Sequence, residues 1–391
     1  MRLGGLELEI KELSALDPGS LGDAELSELI VEVARLRTRL DAAEVAIVSA
    51  WDARRVWAGD GAKSGAAWLA RKTHEPKPAC GARLALGRKL RRLPLVAAAF
   101  AAGDITEAHA RQIARACTTR TAVAMAAAEG EIVHQAQRLT FSQFCTYLDY
   151  WLLAVDPDGA EVSDIERRDR RRVSLDETLS GMRSGSMLLD PISGEIVGGE
   201  LERLEQELFE ADWAEAKDRL GREPKAGELA RTGDQRRADA LVEMARRSAA
   251  LPADAKLPRP LFTVVIGNDA FSHLTQLASG QVIPASALLP WISGADLERI
   301  LFAGGTSRVI DVSRKRSFTG ALRRLIEVRD QLCYHDTCDE PAHRCQIDHI
   351  VPWSAGGMTA QWNGRLACGF HNRLRNRPPP ALSTQDGGGR H

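Results

Sequence analysis

Leu26, Leu29, Val33, Leu36 and Leu40 recur at helical spacing after a polar leader, and Ser20 with Asp23 three residues on has the form of a capping box. A long helix is therefore predicted to run to about Arg55, where Gly59, Asp60 and Gly61 break the pattern. Ala-rich helical stretches follow, separated by Pro76 to Pro78, Pro94, Gly103 and residues 156–159, so the first 160 residues are expected to be mainly helical. Within them, Gly103 with Thr106 has the look of a helix break and an N-cap, and His109 that of a packed helix residue rather than a catalyst.

The pattern changes after residue 173. Residues 182–189 are strand-like and Asp190, Pro191 and Gly194 suit a turn, which predicts a β-hairpin interrupting the helices. Residues 200–220 and 228–250 return to helix, and three prolines in residues 251–260 mark a linker. Residues 261–266 form the clearest strand, bounded by proline and Gly267, and residues 307–312 suit a second. Residues 317–329 make a basic amphipathic helix leading into Cys333. Four segments are expected: a mainly α domain with the inserted hairpin over residues 1–255, a small mixed α/β connector over 256–316, a compact domain over 317–377, and a tail over 378–391 whose Pro, Gly and polar composition predicts disorder.

Composition narrows the class. With 44% hydrophobic and 27% charged residues the chain is globular rather than disordered. No apolar run approaches the roughly 20 residues of a membrane helix, and residues 1–13 show neither a basic nor an apolar signal region, so a cytoplasmic protein without membrane partners is expected. The net charge of -1 favours no partner, but its distribution is uneven: residues 301–391 hold 13 Lys and Arg against 8 Asp and Glu.

The cysteines carry more information. Of seven, Cys80, Cys117 and Cys145 are scattered and suit buried apolar positions, while Cys333, Cys338, Cys345 and Cys368 cluster with His335, His343, His349 and His371. Without a secretion signal, such clustering points to metal rather than disulfides. Cys333 and Cys338 are separated by four residues, and Cys368 and His371 by two, the i and i+3 positions of a helix turn. Two such pairs can complete a tetrahedral structural zinc site of three sulfurs and one nitrogen, with His335 and Cys345 as spare candidates.

Between the pairs, the apolar flanks of Asp348 and His349 predict a short strand ending at Pro352, Gly356 and Gly357 a loop, and residues 362–367 a second strand before a helix at Cys368. These residues resemble the HNH endonuclease family: Asp348-His349, Asn363 and Asn372 match its pattern, with thirteen residues between His349 and Asn363 and eight between Asn363 and Asn372. The resemblance covers about 50 residues and implies a zinc-stapled ββα-metal (His-Me finger) fold. It implies a metal-dependent nuclease hydrolysing DNA, with double-stranded DNA as partner, His349 as general base, and Asp348 and Asn372 holding one catalytic Mg2+ or Mn2+. Asn363 has two candidate roles, ligating that cation or fixing the loop that orients His349. Consecutive strand residues face opposite ways, so Asp348 and His349 share a site only if the strand ends or twists there. One departure stands out: the family usually has a second His where this chain has Asn372, whose carbonyl oxygen remains a ligand for a hard cation. Arg373, Arg375 and Arg377, with Arg314, Lys315, Arg316, Arg323 and Arg324, are candidates for phosphate contact, against the plainer reading of a solvated charged face.

Upstream, Leu93-Pro94, the run from Gly103 to Ala110, Ser180-Gly181-Met182 and Arg329-Asp330 before Cys333 resemble an arrangement of actinobacterial proteins in which a helical domain of unknown function, DUF222, precedes a C-terminal HNH module. A partner-binding role for the helical domain is one expectation. Two other functions compete with the nuclease: a catalytically silent zinc module that binds nucleic acid or protein, and a toxin-like effector blocked by an immunity partner.

Overall fold

The computed structural model describes residues 4–252, 255, 261–266, 274–277, 281–288, 291, 296–301, 312–313 and 317–375. The expected strand over residues 307–311, most of the linker, Arg314 to Arg316, Arg377 and the tail over 378–391 lie outside the described residues. The chain forms two compact units, residues 1–155 and 156–391. This division falls well ahead of the proline-rich stretch where the sequence suggests a boundary. The reason is packing: Ile192 shares a buried cluster with Ile283, Ala287 and Leu288, tying the later helices to the connector.

The first unit is helical throughout, with α1 (Gly4–Ala15), α2 (Asp23–Ala53), α3 (Val56–Gly59), α4 (Gly65–Thr73), α5 (Lys77–Leu90), α6 (Pro94–Ala102), α7 (Glu107–Ala116), α8 (Ala122–Arg138) and α9 (Phe141–Val155). The expected capping box at Ser20 is not formed. Asp17 instead accepts the Gly19 N–H at 3.0 Å and caps a short 3-10 turn, and α2 starts after Gly22 with no side-chain cap. Asp17 precedes Pro18, the residue best suited to a first helical position. Val45, Phe100, Ile113, Met125, Ile132 and Phe144 share one buried core. Buried Glu129 on α8 accepts the N–H groups of Leu95 and Val96 at 2.8 and 2.9 Å, so a carboxylate from another helix satisfies the orphan donors that open α6.

The break between α6 and α7 follows the sequence expectation. Gly103 ends α6 at φ 78°, a left-handed position glycine takes without strain. Thr106 caps α7, its N–H donating to His109 Nδ1 at 3.4 Å while its hydroxyl accepts from the His109 N–H. The His109 ring is buried edge-on against Phe141, with centroids 5.0 Å apart, and burial holds its pKa below the ordinary histidine value. It is a capping and packing residue.

In the second unit, α10 (Pro157–Asp169) leads to an antiparallel hairpin of β1 (Arg172–Glu177) and β2 (Arg183–Leu188). Its turn lies at Thr178 to Met182, where the Thr178 N–H donates to the Met182 carbonyl at 2.7 Å. Asp190 and Pro191, expected as a turn, instead start α11 (Pro191–Leu220): the Asp190 carboxylate accepts from Ser193 N at 3.2 Å and Pro191 sits in the first turn. The dipeptide serves either use, and the helix that follows decides it. Leu201 and Leu204 of α11 pack with Ala240 of α12 (Gly233–Ala250), which begins at a Thr232–Gln235 capping box rather than at residue 228.

The connector contributes a parallel pair, β3 (Leu261–Ile266) with β6 (Asp296–Leu301), and an antiparallel pair, β4 (Leu274–Gln276) with β5 (Val282–Pro284). Then β7 (Val312–Ser313) pairs with β9 (Thr359–Ala360). Helix α13 (Gly320–Asp330) precedes the antiparallel strands β8 (Cys345–His349) and β10 (Gly364–Cys368) and the closing helix α14 (Gly369–Arg375). Among the described residues, no helix is long and apolar enough to cross a membrane.

Candidate functional site

The strand-strand-helix arrangement of β8, β10 and α14 brings the two cysteine-containing pairs together. Strand register sets Cys345 opposite Cys368, and α14 starts immediately, so His371 falls one helical turn on from Cys368. The Sγ atoms of Cys333, Cys338 and Cys368 and one ring nitrogen of His371 all lie within 4.8 Å of one another. Individual separations are 3.9 Å for Cys338–Cys368, 3.4 Å for Cys333–His371 Nδ1 and 3.2 Å for Cys368–His371 Nδ1. Tetrahedral zinc with bonds of about 2.0 to 2.3 Å needs ligand-to-ligand edges of roughly 3.5 to 3.8 Å. The four residues can hold a metal ion, consistent with a structural zinc.

The electrostatics of the cluster agree. Burial and neighbouring thiols push the Cys338 thiol up to about 11. For Cys333 burial also acts upward, but the N–H groups of Cys368 and His335 and the adjacent thiols bring it below the usual thiol value. Thiols crowded this way resist collective ionisation unless a cation joins them. Cys345, one of the spares, is buried with its thiol pushed up to about 12 by desolvation, then by the charges around it, and it belongs to the apolar core with Phe318, Leu322, Ile326 and Leu366. The other spare, His335, stacks face to face on His371 at 4.0 Å, an aromatic support for that ligand.

Asp348 and His349 are the last two residues of β8. The Asp348 carboxylate meets Arg365, directly opposite on β10, at 3.5 Å, and it also accepts from Arg375 of α14. The Arg365 guanidinium lies over the Tyr334 ring at 3.6 Å. The His349 ring packs instead against Phe318 at 4.6 Å and Trp353 at 5.9 Å, and its Nε2 lies 3.0 Å from the Thr359 hydroxyl. Consecutive residues of β8 thus take different partners, as strand alternation requires. They are linked through Arg375, which also donates to the His349 carbonyl at 2.6 Å and to the Ile350 carbonyl.

Asn363 is almost fully buried, and its amide is taken up by the loop after β8. Its oxygen accepts the Val351 N–H at 2.7 Å, and its nitrogen donates to the Met358 and Val351 carbonyls at 2.8 and 3.2 Å. Of its two candidate roles, the loop-fixing one is formed. Gly357 allows this closure, since a Cβ there would sit 1.9 Å from the Val351 carbonyl oxygen. Asn372 donates to Gln346, which shares a face of β8 with Asp348.

Of the basic residues expected at phosphate, Arg323, Arg373 and Arg375 have partners within the fold. Arg373 lies over Trp213 of α11 at 5.8 Å, Arg323 binds Glu327 at 2.7 Å and the Cys345 carbonyl at 3.1 Å, and Arg375 turns inward. On the same side, Glu202 of α11 binds Arg344 at 2.8 Å and His343 at 3.2 Å. Thr359, Trp353, Phe318 and Arg365 escaped the sequence reading because each reaches its partner through tertiary structure. For Arg375 a signal existed: it stands three residues after Asn372, on the same helix face.

The uncharacterized protein Rv3776 of Mycobacterium tuberculosis (strain ATCC 25618 / H37Rv) is 25% identical over 420 residues, covering 93% of this chain and 76% of the relative. The uncharacterized protein MT1183 of Mycobacterium tuberculosis (strain CDC 1551 / Oshkosh) is 28% identical over 247 residues, 59% of this chain and 51% of the relative. Rv1148c of strain H37Rv is 32% identical over 95 residues, 24% of this chain and 21% of the relative. The chain thus spans about half the length of MT1183 and about a fifth of Rv1148c. No solved structure matches. The family description "Domain of unknown function (DUF222)" matches residues 27–330, more than half of the chain, and the protein belongs to the DUF222 family.

Proposed function

We propose that residues 317–375 form a zinc-stapled HNH-type nuclease module that hydrolyses phosphodiester bonds in DNA, with His349 as general base. The observation that carries this reading is the convergence of β8, β10 and α14 on the four metal-binding residues, with Asp348 and His349 at the adjacent strand end and Asn363 fixing the loop between. Zinc is the ion that suits three thiolates and an imidazole in a closed, buried cluster.

His349 is the group suited to take a proton from water near pH 7. Its Nε2 pairs with the Thr359 hydroxyl, where a carbonyl partner is usual; with Nε2 as the donor to that hydroxyl, Nδ1 would be the atom that takes the proton. The pairing of β7 with β9 sets Thr359 in place, and the packing of Phe318 and Trp353 limits ring rotation. Asp348, with the amide oxygen of Asn372, supplies the oxygen ligands that a hard cation takes. The guanidinium of Arg375 beside Asp348 supports this reading, since a positive group already occupies the position. A bound Mg2+ or Mn2+ would neutralise charge on the phosphate and the leaving oxygen.

One observation favours a second reading, the silent zinc module: Asp348 is already paired with two arginines. Incubating the full chain with supercoiled plasmid and Mg2+ or Mn2+ separates the two. The nuclease reading expects nicking that EDTA stops and that His349→Ala reduces by about 100-fold or more, the scale of general-base catalysis. Nicking equal in the wild type and His349→Ala overturns it.

A further inference from the structure

The geometry points to Arg375 as a positioning residue that competes with the divalent cation for Asp348: it clamps the end of β8, and it has to release the carboxylate before the ion can bind. The inference rests on the reading above, because it takes Asp348 as a cation ligand.

Arg375 donates to three acceptors from three consecutive residues, the Asp348 carboxylate and the carbonyls of His349 and Ile350. A carboxylate and two carbonyls turned toward one positive centre are the ligand types of a hard divalent ion. The planar guanidinium fork spans all three at once, Nη1 on the Asp348 carboxylate and the His349 carbonyl and Nη2 on the Ile350 carbonyl. Asn372, one turn earlier on the same helix face, reaches Gln346 on the Asp348 face of β8, so α14 addresses this side of the strand twice. The two arginines at Asp348 differ in anchoring. Arg365 belongs to a paired strand and lies flat on Tyr334. Arg375 is the last residue of the seven-residue α14, and its hold on this site comes through the carboxylate and the two carbonyls. It is the one suited to swing away, since a monovalent and a divalent cation on one carboxylate repel each other.

The consequence is quantitative. If the clamped form holds about nine-tenths of the molecules, the ion binds about tenfold more weakly than to the open form, and removing the guanidinium removes that loss. The released Arg375 then has phosphate as its natural partner, so ion and nucleic acid should strengthen each other's binding.

The test is Mn2+ binding to the zinc-loaded full chain, read from the electron paramagnetic resonance of free Mn2+, for the wild type, Arg375→Gln and Arg375→Lys. Arg375→Gln is expected to bind Mn2+ about tenfold tighter than the wild type, with Arg375→Lys in between. Equal or weaker binding by Arg375→Gln, at unchanged zinc content and melting temperature, overturns the inference alone. Should Arg375→Gln lose zinc, Arg375→Lys decides: tighter binding than wild type supports the clamp, and equal or weaker binding overturns it. No Mn2+ bound by any form, with zinc in place, overturns both the clamp and the cation-ligand role of Asp348.

Discussion

The helical first unit and the C-terminal module solve the same stability problem with different materials. The first unit buries large apolar side chains on many helices around Phe100 and Phe144, and its inward polar groups, Glu129 and His109, satisfy backbone donors or cap helices. The module has a much smaller apolar core, in which Cys333, Cys345 and Cys368 stand beside Phe318, Leu322, Ile326 and Leu366. A core so small and so rich in thiols needs a staple, and the tetrahedral cluster is where a cation would provide it. The difference teaches that the first unit is held by its amount of burial and the module by its chemistry.

Chelation is the strongest way to break that comparison. Removing zinc, or making Cys368→Ala, is expected to unfold residues 317–375, a loss on the order of 10 kcal/mol by the scale of structural zinc sites. The first unit should be spared, which limited proteolysis with mass mapping of the surviving fragment would reveal. Elemental analysis should find about one zinc per chain, and none in the variant.

The converse perturbation is Phe144→Ala, at a fully buried position of the helical core, which should cost about 3 to 5 kcal/mol in denaturant unfolding and leave zinc content unchanged. Acid should likewise act on the first unit through His109. Its pKa is lowered from 6.5 by burial, so the neutral ring contributes stability that is complete above pH 6.5 and lost as pH falls through the lower folded value. A His109→Gln variant should flatten the pH dependence of first-unit unfolding below pH 6.5. The smallest effect is expected at Glu202→Ala, where partly exposed pairs with Arg344 and His343 contribute about 0 to 1 kcal/mol. A larger loss of module stability there would mean that α11 is part of what holds the module together.

What could be seen in the sequence was what local chemistry decides. Pro94, Gly103 and Thr106 mark helix ends because each acts within a turn of its own position. The cysteine-containing pairs were legible because metal geometry constrains spacing, whereas Asn363 was singled out by the resemblance to the HNH pattern, with both of its candidate roles open. Asp190-Pro191 was ambiguous for the opposite reason, as the same dipeptide opens a turn or a helix. The division at Val155, the inward turn of Arg375 and the support of His349 by Thr359 all depend on contacts between segments far apart or on how a side chain turns, which no local pattern records.

Helix α13 carries one more implication. The family match ends at Asp330, yet Leu322 and Ile326 pack with Leu366 and Cys368, Arg329 reaches the Gln361 and Gly364 carbonyls, and Asp330 accepts the Leu366 N–H. The border drawn by kinship therefore runs through the middle of a shared interior. Cutting the gene there would give two fragments, each exposing half of one greasy seam.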